Sequence, residues 1–190
     1  MQERLTMGQL VLQGERLLLR SLGESDVSED YISWLNDPDV TRYLEVGKTA
    51  STQVTVQAYL ERFQEGVTDF IFAIIDIETG LHVGNVTLNH IDSTLGTADT
   101  GLMIVRKEFW GRGYAAEGWS LIAEYGFEKH GLRKITAGAA AENKASIGSL
   151  LKLGFKIEDT LHNGILVDGE FQDNVRMGLF REEFKHYSRN

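Results

Sequence analysis

The hydrophobic pattern changes its period along this chain, and that change limits the folds open to it. Phe70–Asp76 is an almost continuous apolar run, Glu78-Thr79-Gly80 has turn composition, and His82–Asn89 alternates apolar with other residues. Two such runs joined by a glycine-containing turn predict a β-hairpin. A third strand is predicted over Thr97–Val105, after a polar turn. We therefore expect a three-stranded meander in the middle of the chain.

Predicted helices flank this meander. Before it, Arg16–Ser21 predicts a strand, Ser25 or Asp26 is expected to cap a helix, and a second helix is predicted over Thr52–Glu65. The elements predicted after it are a helix over Gly113–His130, a strand over Lys134–Ala139, a helix over Asn143–Leu153 and two strands joined at Asp168-Gly169. This order predicts a mixed α/β sheet in one domain.

Composition argues against several classes of protein. The 190 residues suffice for one domain with a hydrophobic core, and no apolar run approaches the roughly 18 to 20 residues of a membrane-spanning helix. The absence of cysteine removes disulfides, thiolate metal sites and a cysteine nucleophile. A formal net charge of -9 argues against a nucleic-acid partner, and it suits a cationic acceptor or simply solubility. Because the first residues lack a signal-peptide pattern, we expect a soluble, cytoplasmic protein without a membrane partner.

The segment that points most directly to a ligand is FWGRGYAAE, residues 109–117, which links the third meander strand to a helix. Gly111 and Gly113 allow the backbone to turn tightly and to approach a ligand closely. The free N–H groups and the dipole of a helix N-terminus favour a phosphate or pyrophosphate, and Arg112 can add a cationic contact. The glycines could also merely shape a turn. The surrounding pattern fits neither a dinucleotide-binding fingerprint nor a P-loop.

A second segment, NKASIGSLLKLGF at residues 143–155, carries helix boundary signals. Asn143 is a good N-cap, Gly154 a good helix stop, and Phe155 can pack back on the last turn. These structural roles account for most of the segment. Ser146 is the exception, because one turn after the cap its hydroxyl could face a ligand at the helix start.

Together the two segments resemble the GNAT acetyltransferases. The family's pyrophosphate signature, Q/R-x-x-G-x-G/A, is matched by WGRGYA, with Trp110 in place of the usual Gln or Arg. Its later pattern, N-x-x-S/A followed by K-x-G-F, is matched by Asn143, Ser146, Lys152, Gly154 and Phe155. The early WLNDP run and the WGRGYAAE loop are most similar to the Rim-type (RimJ/RimL) branch, and the resemblance covers about residues 16–184.

The resemblance implies a single GNAT-type domain over residues 15–184, with an N-terminal extension over 1–14 and a C-terminal tail over 185–190. The domain would have a mixed, mostly antiparallel central sheet flanked by helices. Acetyl-CoA would be the co-substrate, and the acetyl group would pass directly to an amine in a ternary complex. The residues implied to bind acetyl-CoA are Met103, Ile104, Val105, Trp110, Gly111, Arg112, Gly113, Tyr114, Ala115, Ala116, Asn143 and Ser146.

The proton-transfer groups follow less directly from the resemblance. Many GNAT enzymes protonate the leaving thiolate with a tyrosine, whose position is held here by Leu150, and Ser146 matches the serine that Rim-type enzymes offer instead. Glu45, Asp99 and His162 are candidate bases, although each can equally be structural or exposed. An α-amine titrates near pH 8, so water could also accept its proton. The five histidines have no ligand spacing, and no metal is expected.

Three readings of the function remain open on the sequence. The first is acetylation of a protein N-terminal α-amine, as in ribosomal proteins, in an open groove between the early helices and the final hairpin. The second is acetylation of a small amine, either an amino sugar on a nucleotide or a polyamine, in a closed pocket. The third is an acyl-CoA-binding module without turnover. Because the final strands of such folds often pair subunits, a homodimer is also expected.

Overall fold

The computed structural model describes residues 11–63 and 66–188. The predicted extension (1–14), the second predicted helix (52–65) and the predicted tail (185–190) therefore lie partly outside the described residues. Within them the chain forms one α/β domain with an eight-stranded, mostly antiparallel sheet flanked by helices. This confirms the predicted fold class.

The strands are β1 Val11–Gln13, β2 Leu17–Ser21, β3 Phe70–Asp76, β4 His82–Asp92, β5 Thr97–Ile104, β6 Lys134–Ala140, β7 Lys156–Val167 and β8 Glu170–Phe180. The helices are α1 Glu29–Leu35, α2 Pro38–Thr41, α3 Gln53–Glu61, α4 Tyr114–Lys129 and α5 Lys144–Lys152. In the sheet the strand order is β1-β2-β3-β4-β5-β6-β8-β7. The predicted meander is confirmed as β3, β4 and β5, each antiparallel to the next.

The first helix begins later than predicted. Glu24–Asp26 form a short 3-10 turn, and Ser28 caps α1 with a hydroxyl that accepts a hydrogen bond from the Tyr31 N–H at 3.2 Å. Asp26 cannot serve as the cap because its carboxylate binds the Arg20 guanidinium at 2.5 Å and the Gly23 N–H at 2.9 Å. The Asp26 carboxylate therefore binds a nearby cation and does not cap α1.

The sheet splits between β5 and β6, the two strands that run parallel. Their pairing covers Thr97↔Lys134, Ala98↔Ile135 and Asp99↔Thr136 and then stops. The last residues of β5 stay paired to β4, and β6 stays paired to β8. The two halves of the sheet therefore open into a wedge whose walls are the ends of β5 and β6 and whose apex lies at Asp99.

Helix α4 packs across the sheet and buries two polar side chains. Glu117 and Ser120 are buried, although the sequence pattern puts them on the same side of the helix as Glu124 and Glu128. Each has a specific partner, because Glu117 binds Arg16 and the Ser120 hydroxyl accepts the Tyr187 N–H at 3.0 Å. No helix in the described part of the chain is long and apolar enough to cross a membrane.

Candidate active site

The glycine loop before α4 has the geometry of an anion-binding turn. Gly111 and Gly113 have φ values of 71° and 83°, in the left-handed region that favours glycine. Gly113 is the N-cap residue of α4, and a Cβ there would collide with the Tyr187 hydroxyl, whereas a Cβ at Gly111 would meet open space. The first N–H groups of a 16-residue helix thus follow an open loop, as binding of a pyrophosphate requires.

A buried ion pair holds this loop against the rest of the sheet. The Arg16 Nε donates to Glu117 Oε2 at 2.9 Å, while Glu117 Oε1 accepts the backbone N–H groups of Arg16 and Leu17 at 2.7 and 3.1 Å. Arg16 Nη1 also donates to the carbonyl of Arg112, inside the loop, at 2.9 Å. The guanidinium lies over the Tyr114 ring at 4.4 Å. Glu117 and Arg16 therefore tie the loop, α4 and the start of β2 together.

Trp110 joins the glycine loop to the end of β5, where β5 separates from β6. Its indole Nε1 donates to the carbonyl of Ile104 at 2.8 Å, and the side chain is 42% exposed. The Val105 N–H donates to Val83 on β4 at 2.9 Å, so it faces away from the wedge. In a strand the N–H and C=O of one residue point to the same side and those of the next residue to the opposite side, so the N–H and C=O of Ile104 face the wedge. Of the three strand residues expected to bind the pantetheine arm, Ile104 is the one placed to do so through its own N–H.

The start of α5 forms the other side of the wedge. The Asn143 side-chain oxygen accepts the Ser146 N–H at 3.1 Å, which confirms Asn143 as the N-cap and leaves its amide NH₂ free to donate. The Ser146 side chain is half-buried. Leu150, at the position of the family's tyrosine, is fully buried with 0% exposure. That position holds a core side chain, so it supplies no proton donor.

A cavity of about 620 Å³ lies on the opposite face of β4 and β5 from α4. Its walls come from α1, the segment 44–51 and α3, and its floor from β3, β4 and β5. Apolar side chains predominate, and the polar residues of the floor are Asn85, Thr87 and Asn89, at alternate positions of β4. The register pairs Asn85 with Met103, so the cavity reaches the end of β5 beside the wedge. This cavity is not the expected groove between the early helices and the final hairpin, because no described residue of β7 or β8 lines it.

The three candidate bases occupy different places. Glu45 lines the cavity mouth, is 77% exposed and binds Lys48 at 2.6 Å. Asp99 lies at the apex of the wedge, where it accepts a 2.7 Å hydrogen bond from the Thr136 hydroxyl. Burial raises the pKa of the Asp99 carboxyl, and the Thr136 hydrogen bond and Arg176 at 3.9 Å offset only part of that rise.

His162 stands on β7, is 85% exposed and lies 3.2 Å from Asp173. It is not among the residues lining the cavity. Among the residues that the structure describes, no group of three or more His, Asp or Glu side chains could hold a metal ion.

Sequence reasoning missed the polar floor of the cavity and the Arg16–Glu117 pair. The floor left a readable signal, because Asn85, Thr87 and Asn89 recur with period two in an otherwise apolar strand. The ion pair left none, since its partners are 101 residues apart. Tyr31 of α1, which sequence reasoning did not single out as a site residue, also lines the cavity.

Comparisons with known proteins agree with this geometry. Residues 16–156 match the family described as the acetyltransferase (GNAT) domain. The chain is 31% identical over 178 residues, 91% of this chain and 97% of the relative, to the uncharacterized N-acetyltransferase p20 of Bacillus licheniformis.

Solved structures share the fold at lower identity. One is spermidine N-acetyltransferase from Vibrio cholerae in complex with CoA and spermine, with a TM-score of 0.80, 22% identity and coverage of 90% of this chain and 98% of that one. Another is RimL, a ribosomal L7/L12 α-N-protein acetyltransferase in complex with coenzyme A, with a TM-score of 0.79, 17% identity and coverage of 90% and 98%. The chain belongs to the GNAT acetyltransferases and is an acyltransferase that acetylates an amine with acetyl-CoA as its co-substrate.

Proposed function

We propose that the acceptor is the α-amine of a polypeptide whose first side chains are uncharged. The observation that carries this proposal is the character of the cavity beside the end of β5. Among its described lining residues only Glu45 and Arg62 are charged, and both lie on the side of α3 and the 44–51 segment. An uncharged peptide N-terminus can bury its side chains in such a cavity while its single ammonium stays near the wedge.

The charges of the cavity weigh against the two small-amine alternatives. A polyamine carries several ammonium groups, and each one that leaves water needs a carboxylate or equivalent partner. The cavity offers one carboxylate, Glu45, and Lys48 already neutralises it at 2.6 Å. An amino sugar on a nucleotide needs cations to bind its phosphates. Arg62 is the one cation among the described lining residues, and it already pairs with Asp69 at 3.6 Å. Of the three acceptors, the peptide α-amine needs the fewest charged side chains in the cavity to bind it.

The co-substrate is proposed to bind through the residues named from the sequence. Acetyl-CoA supplies a thioester whose carbonyl carbon the amine nitrogen attacks, with release of the thiolate. The N–H groups at the start of α4 would hold the pyrophosphate, and the Ile104 peptide group and the free Asn143 amide would orient the pantetheine arm. Ser146, at the first turn of α5, is proposed to pass a proton to the sulfur, directly or through water, and its hydroxyl regains a proton from solvent.

The proton of the ammonium has two routes in this proposal. Asp99 is the carboxylate at the apex of the wedge, and burial makes it a stronger base than an exposed aspartate. Water is the alternative, because an α-amine loses its proton near pH 8. Glu45 has little support as a partner of the ammonium, because it is 77% exposed and already pairs with Lys48 at 2.6 Å. His162, highly exposed and outside the cavity lining, has the weakest geometric support of the candidates.

The test is acetyl-CoA turnover, followed as release of free thiol, on peptides with different first residues, spermidine and an amino-sugar nucleotide. Turnover on peptides, selective for uncharged first residues, is expected. Turnover on spermidine or the sugar alone would refute the proposal. Tight acetyl-CoA binding without turnover on any amine would instead support a binding module.

A pair of variants on neighbouring residues tests whether this cavity is the acceptor site. Ala50→Trp narrows the cavity mouth, so we expect a higher KM for peptides with a large first residue and an unchanged KM for acetyl-CoA. Val54→Trp is the control, because Val54 is 75% exposed on α3 and does not line the cavity. Equal effects of the two variants would place the acceptor elsewhere.

A further inference from the structure

A directed hydrogen-bond chain ends at the cavity wall. His82 Nε2 lies 2.9 Å from the carbonyl oxygen of Gly84 and 2.8 Å from the side-chain oxygen of Asn85. A backbone carbonyl can only accept, so Nε2 must carry the proton, and the Asn85 atom facing it must be the oxygen. Burial lowers the pKa of His82, although both hydrogen bonds oppose this, so the ring stays neutral near pH 7.

The donor-to-acceptor direction of this hydrogen-bond chain also fixes the role of the Tyr31 hydroxyl. With its oxygen turned to His82, Asn85 presents its NH₂ group to Tyr31 and donates to the hydroxyl oxygen at 2.8 Å. The Tyr31 hydroxyl is therefore left with one proton to donate. Burial raises the pKa of Tyr31, so the hydroxyl keeps that proton at physiological pH. Tyr31 and Asn85 are each only 3% exposed, and both line the cavity.

The hydroxyl lies in the part of the cavity next to the end of β5, where the proposed function puts the transfer. Asn85 faces Met103 in the β4–β5 register, one residue before Ile104, whose carbonyl Trp110 contacts at the wedge. Directly opposed residues of antiparallel strands have Cβ atoms about 5 Å apart. The Tyr31 hydroxyl therefore lies in the part of the cavity next to the end of β5, and on the proposed function a group that accepts its proton is close to the reacting amine.

We infer that Tyr31 is a specificity-determining residue that donates a hydrogen bond to an oxygen of the acceptor substrate close to its amine. On the proposed function, on which this inference rests, that oxygen belongs to the first peptide carbonyl, three bonds from the α-amine nitrogen. An ammonium group has only donors, so in place of the carbonyl it would leave the buried hydroxyl proton without an acceptor. The chain thus discriminates by chemistry between an α-amino amide and a simple alkylamine.

The test compares two acceptors that differ only in this oxygen-bearing group. Leucinamide carries the carbonyl, and 3-methylbutylamine has the same side chain with hydrogen in place of the carboxamide. For Tyr31→Phe we expect kcat/KM to fall about tenfold on leucinamide and on an accepted peptide, and less than twofold on 3-methylbutylamine. Tyr59→Phe is the matched control, because Tyr59 also lines the cavity and should lose nothing selectively. An equal loss on both acceptors, or none, would overturn the inference.

A second variant tests the direction of the chain. In Asn85→Asp both carboxylate oxygens accept, so the Tyr31 proton would turn to Asp and away from the cavity. We expect this variant to show the same selective fall in kcat/KM on leucinamide relative to 3-methylbutylamine as Tyr31→Phe, while thermal unfolding reports whether it folds. Retention of the wild-type preference would contradict the assigned direction.

The outcomes separate this inference from the proposed function. Turnover of peptides with no effect of Tyr31→Phe refutes the inference and leaves the function intact. Turnover of an amino sugar alone, weakened by Tyr31→Phe, refutes the function and keeps the inference, because the sugar also carries oxygens beside its amine. Turnover of spermidine alone refutes both. If no amine is acetylated, the binding of N-acetyl-leucinamide in the presence of CoA is measured by calorimetry. The inference is overturned if the wild-type chain does not bind it, or if Tyr31→Phe binds it as tightly as the wild-type chain.

Discussion

Glu117→Gln tests whether the buried ion pair under the glycine loop positions the co-substrate. In the wild-type chain the carboxylate accepts three hydrogen bonds, two from backbone N–H groups and one from the Arg16 guanidinium. A glutamine of the same shape keeps one oxygen for the backbone groups. Its NH₂ group then faces the Arg16 Nε–H, donor against donor, at a site where the two side chains are 15% and 4% exposed.

The magnitude follows from burial. Removing one partner of a buried pair costs about 3 to 5 kcal/mol. We expect the lower end, about 3 kcal/mol, because Arg16 keeps the Arg112 carbonyl at 2.9 Å and the face of the Tyr114 ring. For a chain of this size, 1 kcal/mol shifts the melting temperature by about 2 to 4 °C. The expected loss is therefore about 6 to 12 °C.

The assay is thermal unfolding by calorimetry together with steady-state kinetics. A loosened loop should raise the KM for acetyl-CoA and leave the KM for the acceptor unchanged. Glu128→Gln is the control on the same helix, since Glu128 binds Arg181 at 2.7 Å but is 58% exposed, and an exposed pair contributes less than about 1 kcal/mol. If the two variants lose equal stability, or Glu117→Gln leaves the KM for acetyl-CoA unchanged, the reasoning is wrong.

Four further predictions concern single positions. Gly113→Ala should weaken acetyl-CoA binding and cost at least about 1 kcal/mol of stability, because it strains a left-handed φ and collides with the Tyr187 hydroxyl; calorimetric titration with CoA checks this. Ser146→Ala should lower kcat at least about tenfold with the KM for acetyl-CoA unchanged, and an unchanged kcat would exclude Ser146 as the acid. With Asp99 as the base, kcat/KM should fall as pH drops through its raised pKa, because the carboxyl must be ionised; Asp99→Asn should have a lower kcat/KM and a pH profile without this limb. Phe171, 70% exposed on β8, should lie in the contact of the expected homodimer, so Phe171→Asp should shift the mass measured by light scattering to a monomer.

Much of the fold could be predicted because its signals are local. The β3–β4 hairpin depends on a turn in which Gly80 adopts a φ of 69°, and the start of α5 depends on a cap three residues from its partner. The glycine loop is equally local, since Gly111 and Gly113 carry its geometry themselves. The start of α1 was misplaced because Asp26 binds Arg20 and Gly23 instead of a helix N-terminus.

The candidate site could be predicted only on its co-substrate side. The loop and the α5 cap were found from two short motifs, whereas the acceptor cavity assembles α1, α3 and three strands that lie far apart in the sequence. The period-two row Asn85, Thr87 and Asn89 indicates a polar strand face. The sequence does not show that α1 and α3 pack over this face and leave a cavity, because that packing depends on residues far apart in the chain.

The sequence by itself determined the family, the glycine loop and the order of most elements, because each follows from neighbouring residues. It did not predict the short strand β1 or the short helix α2. Tertiary structure alone decided where β5 leaves β6, why Glu117 is buried, and which side chain donates to the Tyr31 hydroxyl. These depend on pairs such as Tyr31 and Asn85, 54 residues apart. A side chain's partner, and with it the direction of a hydrogen bond, exists only once packing brings distant segments together.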